Sequence, residues 1–162
     1  MEKTKIDWCD SSWNPVTGCL HSCKYCYARS IANRFSGGGE KWTDDALIEL
    51  NDRIYFDESE KAEAYPYGFK PTLHRYRLNE YEKKSGRNIF VCSMADLFGH
   101  WVPDSWIEEV FSACAKAPQH NYLFLTKNPE RFVDLQNNGK LIVAGSNMQA
   151  QLEAAGYDVD LQ

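Results

Sequence analysis

Three closely spaced cysteines near the N-terminus constrain this chain more than any other feature. They are Cys19, Cys23 and Cys26, spaced C-x3-C-x2-C, and Tyr25 stands immediately before the last of them. Cysteine thiolate is the usual protein ligand of iron–sulfur clusters, so three thiolates on one short loop can hold three corners of a [4Fe–4S] cube. The fourth iron would then be open to a substrate or cofactor, as in a cluster that takes part in chemistry.

A structural zinc site is an alternative for the same loop. Zinc would need a fourth ligand, and Cys9, His21 or a distant cysteine could supply it. Zinc motifs usually combine one close Cys pair with a second Cys or His pair, and this sequence has no evident second pair. The spacing therefore favours the cluster, while zinc and unliganded thiols stay open as alternatives.

Composition and charge narrow the class of protein. The 162 residues, 43% of them hydrophobic and 25% charged, predict one soluble globular domain over residues 1–162. The net charge of −5 does not indicate a general nucleic-acid-binding surface, although it leaves room for a local basic groove.

Localisation follows from the apolar segments and the cysteines. No apolar run approaches the ~20 residues of a membrane span, and the N-terminus lacks the apolar stretch of a signal peptide. We therefore expect no membrane association and a cytoplasmic location, where thiols stay reduced. In that compartment the six cysteines indicate metal binding or buried thiols rather than disulfides.

The hydrophobic pattern predicts alternating strands and helices. Strands are expected at residues 6–8, 88–92, 121–125, 141–144 and 157–161, with a loop over 12–18. Helices are expected after Cys26, from a capping box at Ser105, from Asn128 to Gly139, and over 148–155. This order predicts an α/β fold with a mainly parallel sheet of about four to five strands.

Residues 36–87 interrupt this alternation. The segment predicts only one short helix, over 44–54, and is otherwise rich in turns. Loops of this length are usually functional lids or binding segments, and a tolerated surface insertion is the alternative. Residues 38–40, Gly-Gly-Glu, follow the first helix and are interpreted as its terminator.

Three further segments, together with the cysteine loop, carry a resemblance to a known superfamily. They are WNPVTGC at 13–19, FVCSMADLF at 90–98 and LTKNPER at 125–131. In this order they resemble an uncharacterised phage- and prophage-associated branch of the radical S-adenosylmethionine (radical SAM) superfamily, over most of the chain up to about residue 135. The resemblance implies a partial (β/α) barrel with the cluster at the mouth formed by the carboxyl ends of the strands.

The resemblance also implies an activity and its cofactors. In that superfamily the open iron chelates the amino and carboxylate groups of SAM, and an electron that the cluster receives from a donor cleaves SAM to a 5′-deoxyadenosyl radical. Tyr25 occupies the typical aromatic position and is expected near the adenine side of SAM. Ser93 and Asp96, just past a predicted strand, are placed for the polar groups of SAM, with a turn and helix cap as the alternative.

Residues 136–162 depart from the superfamily pattern, so the chain looks C-terminally shortened. A barrel with fewer strands would leave the cofactor pocket uncovered on one side. We therefore expect self-association or a completing chain, and low activity of this chain alone. A non-enzymatic metal-binding or interaction protein is the alternative function, and the substrate is not identified.

The remaining candidate residues are expected to be structural. Cys9, Cys92 and Cys114 are predicted not to bind the cluster, with Cys114 on the core face of a helix. Lys127 and Arg131 form a solvated helix face or contact a phosphate or carboxylate.

Overall fold

Two small sheets and three α-helices make up the described part of the computed structural model, which covers residues 4–36, 47–55 and 61–139. In chain order the elements are β1 (Ser11–Trp13), β2 (Val16–Thr17), α1 (Tyr27–Arg34), β3 (Ile48–Leu50), β4 (Thr72–His74), a 3₁₀ turn (Arg75–Arg77), β5 (Asn88–Val91), α2 (Asp104–Lys116), β6 (Asn121–Phe124) and α3 (Pro129–Asn137).

The first sheet is parallel and runs in the order β1–β5–β6. Trp13 pairs with Val91, and Val91 pairs with Phe124, so the three strands end at one edge. One face of this sheet joins α2 and α3 in the main hydrophobic core, where Phe111 of α2 stacks on Phe124. Burial of each large apolar side chain in such a core contributes about 2 kcal/mol. The predicted strands at 88–92 and 121–125 are confirmed.

The second sheet lies partly within the segment expected to be a lid or insertion. Its order is β2–β4–β3, with β2 antiparallel and β3 parallel to β4. The helix predicted over 44–54 is wrong where the chain is described, because Ile48–Leu50 pairs with β4 instead. Leu73 of β4 is fully buried, so this part of residues 36–87 belongs to the fold, and its role as a lid stays a prediction.

A buried histidine links two strands of the second sheet. The His74 ring lies 2.8 Å from the Thr17 hydroxyl and 3.1 Å from the Tyr76 hydroxyl. Burial lowers the pKa of His74 to about 3, so the ring is neutral at physiological pH. It therefore links β4 to β2 without placing a charge in the core.

The N-terminal strand begins later than predicted. Residues 6–8 form a turn, in which the Cys9 N–H donates to the Ile6 carbonyl at 3.3 Å. The first strand instead occupies Ser11–Trp13, which overlaps the start of the loop expected over 12–18. Its serines gave no strand pattern, but pairing with β5 and burial of Trp13 stabilise it.

The helices follow their predicted positions with different ends. The apolar stripe after Cys26 forms α1, and α3 begins at Pro129 as predicted. The prediction that a capping box starts α2 at Ser105 is wrong, because α2 already begins at Asp104 and its N-terminus has no side-chain cap. The predicted terminator at 38–40 and the elements predicted beyond 140 lie outside the described residues.

The architecture is thus a mixed α/β fold that contains a parallel three-stranded sheet. The strands described form no closed barrel, and the antiparallel β2–β4 pair was not expected. Within the same residues, no helix combines the length and apolarity needed to cross a membrane.

Candidate functional site

The cysteine loop lies where the parallel strands end. It leaves β2 at Gly18 and enters α1 at Tyr27, as the sequence predicted for a loop ahead of a helix N-terminus. The Gly18 N–H donates to the Met94 carbonyl at 2.9 Å, and Gly18 forms a parallel bridge with Ala95. The loop is therefore joined to the segment that follows β5.

Gly18 begins the loop in a conformation that suits only glycine. Its φ is +83°, and a Cβ atom there would overlap the carbonyl of Lys70 and lie 2.7 Å from the Phe69 oxygen. An L side chain is disfavoured at this φ by about 1–2 kcal/mol even without a clash. The close approach to Lys70 thus requires glycine immediately before Cys19.

Replacement of Gly18 by alanine is expected to lower the free energy of unfolding by about 3 kcal/mol, because overpacking adds to the cost of the left-handed backbone. Gly139→Ala is the matched control, since Gly139 has φ +66° but nothing within 4 Å of its Cβ position. Gly139→Ala is expected to lower the free energy of unfolding by about 1 kcal/mol. Urea denaturation of both variants measures the difference, and equal losses would contradict the steric explanation.

Each sulfur of the loop has a nitrogen donor beside it. The Cys19 sulfur accepts the His21 N–H, and the Cys26 sulfur accepts the Arg29 N–H as the cap of α1, both at 3.4 Å. The Cys23 sulfur lies 3.1 Å from the Lys127 ammonium.

Burial raises the pKa of the Cys19 thiol, and the His21 hydrogen bond opposes this effect. The hydrogen bond to Cys23 raises the pKa of Lys127. These donors favour thiolate ligands.

The donor set suits an iron–sulfur cluster in its chemistry. Among the described residues, no three His, Cys, Asp or Glu side chains lie close enough together to bind a single metal ion. A [4Fe–4S] cube does not require such convergence, because each cysteine binds a different iron. Three half-buried thiols on one loop, each next to an N–H or ammonium group, are donors of the chemical type that such a cluster takes.

The other three cysteines are buried. Burial raises the pKa of Cys92 to about 12 and also raises the pKa of Cys9 and Cys114. Cys92 and Cys114 belong to the main core, which confirms the predicted core position of Cys114. The exclusion of Cys9 as a ligand stays a prediction.

A buried carboxylate, Asp96, joins the loop to the residues that follow β6. Its Oδ1 accepts the Thr126 hydroxyl at 2.7 Å and the Phe98 N–H at 3.1 Å. Its Oδ2 lies 3.0 Å from both the Lys127 N–H and the His21 Nε2. These contacts occupy the roughly four lone-pair directions of a carboxylate. A direct contact between Asp96 and SAM would therefore displace one of these partners, and the geometry favours a positioning role.

Ser93 connects β5 with β1. Its hydroxyl donates to the Asn14 Oδ1 at 3.0 Å, and the Met94 N–H donates to the same oxygen at 3.0 Å. The Ser93 carbonyl accepts the Tyr27 hydroxyl at 3.2 Å. Ser93 also lines an apolar cleft of about 410 Å³. The predicted contact between Ser93 and SAM stays a prediction, and the hydroxyl keeps lone pairs that could accept a donor.

Tyr25 is more exposed than a packed aromatic would be. Its side chain is 81% exposed, and its hydroxyl lies 3.4 Å from the Lys127 ammonium. Tyr25, Cys23, Lys24 and Lys127 line a cleft of about 380 Å³. The ring thus stands beside the cysteine loop, where it is accessible to a ligand.

Sequence reasoning missed several of these positions. His21 and Thr126 were not expected to contact Asp96, and Asn128 places its side-chain nitrogen 3.4 Å from Asp96 instead of capping α3. Lys127 contacts Cys23, while Arg131 binds Asp104 and the Gly99 carbonyl as a structural residue. The motif at 125–131 is the sequence signal that includes Thr126 and Asn128, and the spacing of the cysteines marks His21 only as a possible zinc ligand.

The fold and the site together define a mixed α/β protein with a three-cysteine loop at the carboxyl edge of a parallel sheet. The chain belongs to the family described as "Protein of unknown function (DUF5131)", whose family model matches residues 3–153. Comparison with curated proteins found no match, and neither did comparison with solved structures. Function is therefore argued from the site itself.

Proposed function

We propose that this protein holds a [4Fe–4S] cluster through Cys19, Cys23 and Cys26 and acts as a radical-SAM-like enzyme on a substrate not yet identified. The observation that supports this most is the position of the loop, at the edge where three parallel strands end. Catalytic sites of parallel α/β folds form at this edge. When bound, such a cluster supplies the electron for cleavage of SAM to a 5′-deoxyadenosyl radical, and an external donor replaces that electron.

The residues around the loop support this function by binding and orientation. The Lys127 ammonium at Cys23 and the N–H groups at Cys19 and Cys26 would offset the negative charge of three thiolates. Asp96 holds the loop against the end of β6 through His21. Tyr25 and Ser93 border the loop and are proposed to contact the adenine and the polar groups of SAM.

The proposal extends to architecture and location. We propose that β1, β5 and β6 form part of a (β/α) barrel wall, which a second copy or another chain completes. The apolar cleft beside the sheet supports this idea, since Trp8 and Leu125 on its border are about half or more exposed. A cytoplasmic location, where thiols stay reduced, is consistent with the free cysteines.

A non-enzymatic metal-binding or interaction protein is the second candidate. The exposure of Tyr25, Tyr27 and Leu125 beside the loop favours it, because grouped exposed apolar side chains are typical of interaction surfaces. In this case the cysteines would bind a cluster or zinc without cleavage of SAM.

The test is anaerobic reconstitution with iron and sulfide, followed by addition of SAM and a strong reductant. We expect a brown protein with broad absorbance in the blue, and release of 5′-deoxyadenosine measured by chromatography. A Cys23→Ala protein is the control and should do neither. A colourless protein that contains zinc would contradict the cluster, and a brown protein that releases no 5′-deoxyadenosine would support the second candidate.

A further inference from the structure

The surface around the cysteine loop differs in charge from the rest of this acidic chain. The net charge is −5, yet residues 11–39 contain three cations and no acidic residue. Residues 110–129 also lack acidic residues, and they place Lys127 within 3.1 Å of the Cys23 sulfur. Lys24 and Lys127 are both exposed and line the same cleft. The loop surface is therefore locally positive.

Asp96, the carboxylate that contacts the loop through His21, is internal. Asp96 is 6% exposed, and its oxygens are occupied by the hydroxyl, backbone and His21 contacts. It therefore does little to repel an anion that approaches from solvent. The positive charge of Lys24 and Lys127 faces the solvent directly.

Aromatic rings accompany these lysines. Tyr25 is 81% exposed and lines the cleft with both lysines, with the Lys127 ammonium 5.5 Å from its ring centre. Tyr27 is 58% exposed and lines the adjoining apolar cleft with Leu125, two residues before Lys127. The bond from the Tyr27 hydroxyl to the Ser93 carbonyl orients that ring. Two tyrosines and two lysines thus border neighbouring clefts.

We propose that this face, formed by Lys24, Tyr25, Tyr27 and Lys127, binds single-stranded nucleic acid. Proteins that bind single strands place cations along the phosphates and stack bases on aromatic rings. An acidic protein partner could neutralise the lysines, but only some of its residues carry planar side chains, whereas every nucleotide of a single strand carries both a phosphate and a planar base. A duplex keeps its bases stacked on one another and so withholds them from the tyrosines. Single-stranded nucleic acid would be the substrate class of the proposed radical-SAM-like enzyme, and in this respect the proposal rests on that function. The binding of nucleic acid itself does not require the cluster.

The experiment measures the fluorescence anisotropy of a labelled single-stranded oligonucleotide of about 12 nucleotides, within the site sizes of single-strand binders. Titrations are run in a series of salt concentrations, with the protein before and after iron reconstitution. Two phosphate contacts predict that log K falls with log salt with a slope of about −1.4. Lys24→Gln should reduce this slope by about 0.7, whereas Lys83→Gln, in an exposed turn before β5, should leave it unchanged.

The tyrosines provide the second part of the test. Tyr25→Ala should weaken binding about tenfold, and Tyr25→Phe should bind like the unchanged protein, because stacking requires the ring and not the hydroxyl. The exposed position of Tyr25 makes both variants compatible with folding, which thermal unfolding checks. A duplex of the same length and heparin serve as competitors, and both should compete weakly.

Three results would overturn the proposal: no salt-dependent binding, equal affinity for heparin, or binding that Tyr25→Ala leaves unchanged. Failure of the proposed enzymatic function is distinguishable, because it would abolish release of 5′-deoxyadenosine and leave the anisotropy titration intact. The opposite pattern, SAM cleavage without oligonucleotide binding, would refute only the substrate class.

Discussion

Alanine substitution of Cys19, Cys23 or Cys26, one at a time, is expected to remove most of the iron that the reconstituted protein binds. The three thiols lie at the start, in the middle and at the end of one loop. A cube held by three cysteines loses one of its three protein ligands with each substitution. Iron and sulfide content, together with the visible absorbance, measure the loss. The fold should survive, because all three side chains are only half-buried.

Cys92→Ala and Cys114→Ala are the matched controls. Both thiols lie in the core, so these variants should keep their iron and lose about 1 kcal/mol of stability. Equal iron loss from both sets of variants would contradict the assignment of Cys19, Cys23 and Cys26 as the cluster ligands. Cys9→Ala separates the two metals, since a fourth ligand is needed for zinc but not for a cluster with an open iron. Iron retention in Cys9→Ala is the expected result.

Asp96→Ala is expected to lower the free energy of unfolding by about 4 kcal/mol. The substitution removes the acceptor of the buried Phe98 N–H and of the partly buried Lys127 N–H and Thr126 hydroxyl, and loss of such an acceptor costs about 1–3 kcal/mol for a buried donor and less for a partly buried one. It also removes the Asp96 contact of His21, so the cysteine loop loses one of its links to the segment after β6 and keeps the contact between Cys23 and Lys127. We therefore expect a lower yield of reconstituted cluster even under conditions in which the variant is folded.

Urea denaturation and iron content measure these two effects separately. The free energy of unfolding of Asp96→Asn should lie between those of Asp96→Ala and the unchanged protein, because an amide keeps one acceptor oxygen. Asp104→Asn is the control at a partly exposed carboxylate, whose ion pair with Arg131 is worth about 0.5 kcal/mol. If Asp96→Ala were no more destabilising than Asp104→Asn, Asp96 would not be the link that its hydrogen bonds indicate.

Much of the framework was predictable because its signals are local. The stripe of Ala28, Ile31 and Ala32 repeats at helical spacing, and it forms the buried side of α1. The continuous apolar runs at 88–92 and 121–125 became the paired strands β5 and β6. Pro129 and Gly139 mark the two ends of α3. The fixed φ of proline suits the first helical position, and glycine readily adopts the left-handed conformation that follows the last turn. The cysteine spacing likewise identified the candidate ligands without any structure.

The remaining features depended on contacts between distant parts of the chain. Strands of two or three residues, such as β1 and β2, are too short to show a periodicity, and only their partners stabilise them. The link from His21 to Asp96 spans 75 residues, and that from Cys23 to Lys127 spans 104. The sequence by itself determined which residues could bind a metal and which segments could be helices or buried strands. The tertiary structure alone decided that Asp96 and Lys127 meet the cysteine loop, because parallel pairing brings the ends of β5 and β6 to the same edge of the sheet.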